Sequence, residues 1–225
     1  MSTVASVLEA PEPAASPAAQ FSPLGRAAAA GTLVLGAALQ LASFLTIPSH
    51  DETEERLRWI AANPGQADAS KLFDILAMPF LLGTVLVYVL LSRRRSPRLA
   101  YAAGILLGCG MVGLSMLQGY ETLEFGLATD GSFDLATLAD AVDDISSPPA
   151  IAMLLLFLPG VFFGLLTMSV ALWRSRAVPR GAVLLIPAFL VIDILLQQGV
   201  AGHAIALVGA VWIASAVLLT PSEEP

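Results

Sequence analysis

The chain lacks most of what chemistry in water requires. Only 13% of its 225 residues are charged, against about 25% in a soluble domain. There is one cysteine, Cys109, which leaves no disulfide framework, thiolate metal centre or dithiol redox pair. The two histidines, His50 and His203, lie far apart in sequence, so no H-E-x-x-H pair exists. Both fall near helix ends, too shallow for a haem held between membrane helices. No G-x-S-x-G, Walker loop or dinucleotide fingerprint is present. Eleven Lys and Arg against eighteen Asp and Glu give a net charge of −7. With no basic groove or aromatic stacking platform, no nucleic-acid partner is expected.

What the chain has is apolar surface. Hydrophobic residues make up 56%, the mean hydropathy is +0.78, and the apolar residues come in long blocks without a polar face. Runs of about 18 or more such residues read as membrane-spanning helices. Six blocks qualify, at 27–47, 71–91, 99–119, 149–173, 181–198 and 203–219. The last two are separated at "QQGVAGH", where paired glutamines and two glycines favour a hairpin. The predicted fold is an all-α integral membrane bundle of six transmembrane helices over residues 26–220.

The arginines orient it. "SRRRSPR" joins the second and third blocks and "RSRAVPR" the fourth and fifth. Short loops rich in Lys and Arg stay in the cytoplasm, so both termini are expected inside. Residues 1–25, rich in Ala, Pro and Ser, read as a disordered cytoplasmic tail, and 221–225 as a short one. Two outer segments read as short amphipathic surface helices. One lies in "SHDETEERLRWIAANPG", with Ser49 and Glu52 as a capping box and Trp59 at headgroup level. The other lies in "SFDLATLADAVDDISSPP", with Leu138, Ala141, Val142 and Ile145 on one face. Ser147 is placed to cap the next helix, with Pro148 at its first position.

The few polar residues at membrane depth lie mostly toward the outer side: Gln40, Asp74, Gln118, Glu121, Asp193 and Gln197, with His50 and His203 at helix ends. A charged side chain at mid-bilayer costs about 2.5–3.5 kcal/mol on insertion scales, and so faces a bundle interior or cavity. These eight residues are therefore expected to line an outward-facing polar pocket for a small molecule or cation, with Asp193 at its floor. Asp74 can instead pair with Lys71, and Glu124 is expected to be solvated. The same pocket can be read as an intramembrane enzyme in which Asp193 or Glu121 is a general acid toward a prenyl-type substrate. A third reading is an accessory protein whose polar groups only join helices. His50, His203, Glu121 and Asp193 contain metal-binding donors, but without motif spacing no metal and no cofactor is assigned. The GxxxG pairs Gly104/Gly108 and Gly160/Gly164 permit close helix packing. The general style of the chain resembles small membrane proteins of high-GC bacteria, which implies a bacterial plasma (inner) membrane with lipid as a partner. Neither that style nor the residues fix an oligomeric state.

Overall fold

A computed structural model describes residues 21–50, 52–144 and 147–220, and every element among them is helical. The helices are α1 (Pro23–Thr46), α2 (Thr53–Ala62), α3 (Pro64–Ser92), α4 (Pro97–Asp130), α5 (Leu135–Asp143), α6 (Pro148–Ser175), α7 (Arg180–Leu190) and α8 (Gly199–Leu219). Four of them open on proline, whose missing N–H would have no partner in a first turn anyway. Ser22 and Ser147 cap α1 and α6 by accepting from Gly25 N and Ala150 N. Residues 1–20 and 221–225, read from sequence as tails, lie outside the described residues. α1 already begins at Pro23, inside the stretch assigned to the first tail.

Five helices, α1, α3, α4, α6 and α8, are long and apolar enough to cross a membrane. The chain is a polytopic, multi-pass membrane protein. Its exterior agrees: Leu86, Ile105, Leu155 and Val208 are all more than half exposed, as side chains are when they face lipid. The fifth apolar block differs from expectation. α7 stops at Leu190 after 11 residues and gives way to a π-helical segment of five, Val191–Leu195. Pro187 inside α7 removes one ladder hydrogen bond. Beyond it the ladder widens, with Leu196 N donating to Val191 O and Gln198 N to Ile192 O. Gln197 then adopts a left-handed φ of 53°. Eleven plus five residues span about 24 Å, short of a hydrocarbon layer of about 30 Å.

Six rods nevertheless form a closed ring in the order α1, α3, α4, α6, α7, α8 and back to α1, each packed on the next. One end of the ring is basic. Arg26 donates to the Thr220 carbonyl and Arg95 to the Ser175 carbonyl at 3.2 Å, drawing the arginine-bearing turns together. The other end carries α2 and α5, packed on each other and on α4. Leu57 and Ile60 of α2, Ala67 of α3, Phe125 and Ala128 of α4 and Ala139 of α5 make a small core there. α4 reaches it by continuing 11 residues past the expected end at Gly119.

The details of this cap correct two expectations. Glu52, not Ser49, is the N-cap residue of α2, and no capping hydrogen bond from a side chain is made there among the described residues. The inward face of α5 is Leu135, Leu138, Ala139 and Val142, while Ala141 is exposed; Ile145 lies outside the described residues. Asp143, one of the acids on its polar face, accepts a hydrogen bond from Thr53 Oγ1 at 2.8 Å and ties α5 to α2. Asp134 caps α5 by accepting from the Thr137 N–H and hydroxyl, which hold its carboxyl below the usual carboxylate range. That cap is fully formed above the ordinary Asp value and is lost as pH falls through the depressed one.

The tightest seam joins α4 and α6. A Cβ on Gly160 would lie 2.6 Å from Gly110 N, and one on Gly113 would lie 2.5 Å from Phe157 N. Backbones approach this closely only where no side chain intervenes. Gly160 and Gly164 thus pack α6 against α4 within the monomer, whereas Gly108 of the other GxxxG pair has open space around it. Gly160→Ala is expected to lower stability by about 1–3 kcal/mol through overpacking, and Gly108→Ala to leave it unchanged. Thermal melting in detergent distinguishes them; equal melting temperatures would contradict this packing.

Candidate functional site

Where α3 and α4 leave the ring toward the cap, an ammonium meets two carboxylates. Lys71 is 8% exposed and Asp74 5%. The two are one turn apart on α3 and bridge at 3.1 Å, while Lys71 Nζ also bonds Glu121 Oε2 of α4 and Gln118 Oε1 at 3.3 Å. The Phe125 ring lies 4.8 Å from the same nitrogen, a cation–π contact. Gln40 of α1 donates to the other Asp74 oxygen at 3.2 Å, and one turn away Ser43 and Ser70 share a hydrogen bond of 2.9 Å. The network joins α1, α3 and α4. A second pair lies above it. Glu124 is 3% exposed and bonds Arg56 of α2, so it is buried and paired, not solvated. One turn of α4 aims Glu121 at Lys71 and the next aims Glu124 at Arg56.

A second polar group sits across α1 from this network. His203 of α8 is 7% exposed, with its ring stacked on Phe44 at 4.1 Å and edge-on to Phe189 at 5.3 Å. Its Nδ1 lies 2.9 Å from the Gly199 carbonyl and 3.2 Å from Asp193 Oδ1. Both neighbours are acceptors, so Nδ1 carries the proton in the neutral ring and Nε2 keeps its lone pair. Asp193 owes its position to the π-helical segment and to Gly202, where a Cβ would lie 2.6 Å from Asp193 Cβ.

Between these groups and the basic end the ring surrounds a partly open cavity of about 170 Å³. Its wall is mostly Leu, Val, Ile, Ala and Phe, among them Leu81, Leu107, Val161, Ile186, Phe189 and Ala206. Polar groups touch it at two levels. Gln40 and His203 lie at the cap end, and Thr84 and Tyr88 further along α3 toward the basic end.

Of the eight residues expected to line a polar pocket, Gln40 and His203 line this cavity. Asp74, Gln118 and Glu121 are drawn to Lys71 instead. Asp193 stands behind His203. Gln197 does not follow Asp193 around a helix, because the helix has ended; its side chain is exposed. His50 lies against Trp59, ring centroids 6.0 Å apart, away from His203. Among the described residues no three His, Cys, Asp or Glu gather to hold a metal. Sequence reasoning missed Tyr88 and Phe189 as cavity residues and Lys71 as a hub. Lys71 had a local signal in its spacing to Asp74; Tyr88 had only its depth within an apolar run.

Removing Lys71 alone leaves buried carboxylates without a counter-charge, which costs about 3–5 kcal/mol where a pair is fully buried. Lys71→Met is expected to lose about 3 kcal/mol, the partial exposure of Glu121 reducing the effect. Lys71→Met combined with Asp74→Asn and Glu121→Gln should regain most of it. Melting curves of the single and triple variants check this; a triple variant no more stable than the single would contradict the network. Comparison with known families, known proteins and solved structures finds no match to this chain, so the reading of its function rests on its geometry.

Proposed function

We propose that this protein holds a small, mainly apolar molecule in its central cavity, within a bundle that crosses the membrane with both ends in the cytoplasm. The observation that carries this reading is the cavity itself. It has about 170 Å³ of space at the centre of the ring, distinct from a shallow open hollow between α1 and α8, and well-packed interiors hold few voids larger than a water molecule. A comparable engineered apolar cavity of about 150 Å³ stays dry and takes up benzene. His203 Nε2 at the cap end would accept a hydrogen bond from the ligand and orient it.

The orientation rests on charge. Arg26, the arginines of the α3–α4 and α6–α7 turns and the end of α8 share one end of the ring, and that end would face the cytoplasm. The sixth rod, α7 with its π-helical continuation, would lie at membrane depth among its longer neighbours. α2 and α5 would cover the outer mouth. A cation ligand is less well supported, because the outer carboxylates already have Lys71, Arg56 and His203 beside them. A second reading has one specific support. Asp193 orients His203 in the manner of a general-base dyad, so a bound molecule with an acidic proton near Nε2 could be deprotonated there.

Native mass spectrometry of gently purified protein tests the binding reading. Wild type is expected to carry a small molecule, and Ala206→Phe, which fills the cavity, to be empty with an equal or higher melting temperature. An empty wild type, or an Ala206→Phe variant that retains the same occupant, would contradict it. Under the enzymatic reading Asp193→Asn would keep the occupant and lose its conversion.

A further inference from the structure

Tyr88 is the one strongly polar group of the cavity wall that the reading above leaves without a role. It is 7% exposed and lines the cavity. Its hydroxyl has no hydrogen-bond partner among the described residues; the only bond at Tyr88 besides the helix ladder is the one its carbonyl accepts from Ser92 Oγ. The fully buried side-chain polar atoms left unpaired among the described residues are His50 Nδ1 and Ser96 Oγ; the Tyr88 hydroxyl is not one of them and is open to the cavity that Tyr88 lines, where a bound molecule can pair with it. Tyr88 lies toward the basic end and His203 toward the cap end. The α8 lining from His203 to Ala210 spans about 10 Å along the helix axis. The cavity therefore has an acceptor nitrogen at one end, an unpaired O–H donor near the other and an apolar waist between them.

We propose that the resident ligand is polar at both ends, a phenol-sized apolar body with a donor group toward His203 and a carbonyl or other acceptor toward the Tyr88 hydroxyl. This rests on the cavity being a binding site and names the class of molecule it takes. Tyr88 is the specificity residue for the acceptor, and Thr84, one turn before it on the same wall, borders that end. Apolar walls alone cannot select such a molecule, since they accept any shape that fits. A buried donor left unpaired by the wrong ligand can.

A matched pair of probes tests this. 4-Hydroxyacetophenone and 4-ethylphenol have nearly the same shape and differ by one carbonyl oxygen. Their dissociation constants for detergent-solubilised wild type and Tyr88→Phe are measured by calorimetric titration, and the ratio between probes cancels micelle partitioning common to both proteins. In wild type the ketone's affinity relative to 4-ethylphenol is expected to be about fivefold higher than in Tyr88→Phe, the worth of one net hydrogen bond. The affinity of 4-ethylphenol should be unchanged. An identical ratio in both proteins, with 4-ethylphenol bound, would overturn the role of Tyr88 while leaving the cavity reading intact. Binding of neither probe to wild type would overturn both. Ligand-free Tyr88→Phe is expected to melt at or above the wild-type temperature; a clear loss of stability would show that the hydroxyl already has a partner and would also overturn the inference.

Discussion

One ammonium holds the cap end of this bundle together. Lys71 has two carboxylates, an amide and an aromatic face around it, contributed by α3 and α4, and Gln40 extends the network to α1 through Asp74. In hydrocarbon, a helix that carries a carboxylate has no water to turn to, and the group must find its complement inside the protein. Meeting that requirement at Lys71 fixes the rotation of three helices about their axes. α4 then emerges with Glu124 and Phe125 aimed at α2, which the Arg56 pair and the small apolar core fasten in place.

The same requirement determines what kind of cavity remains. Because the acids of α3 and α4 bind to one another's neighbours, the centre of the ring is left to Leu, Val, Ile, Ala and Phe. Gln40 belongs to both regions, donating to Asp74 and lining the cavity wall. Asp193 is similarly withdrawn, one residue behind His203. The protein thus separates its charges from its open space, and the polar groups presented to that space are an imidazole, an amide and two hydroxyls. Under the binding reading we propose, such a set would suit a neutral or weakly polar molecule.

Much of the architecture was legible in the sequence because membrane helices follow from composition. The apolar runs set the long helices, the arginine turns marked the common end, and Ser147 with Pro148 marked a helix start that the structure reproduces. Four things were not legible. The π-helical segment arises from a ladder that widens after Pro187, and a proline in sequence indicates only a kink. The continuation of α4 past Gly119 depends on Phe125 and Ala128 packing under α2 and α5, a contact between segments far apart in the chain. The grouping around Lys71 could be read as far as its i+3 partner Asp74. That Gln118 and Glu121 complete it, and that Tyr88 lines a cavity shared by six rods, are long-range facts with no local pattern.

A ring of helices that surrounds a ligand chamber should admit a heavy-atom probe to its centre. Crystals soaked in 4-iodophenol should show one strong anomalous peak among Leu81, Phe189 and Ala206, with the phenol oxygen toward His203. Iodine found only on the lipid-facing exterior, with the centre filled by protein side chains, would contradict the account.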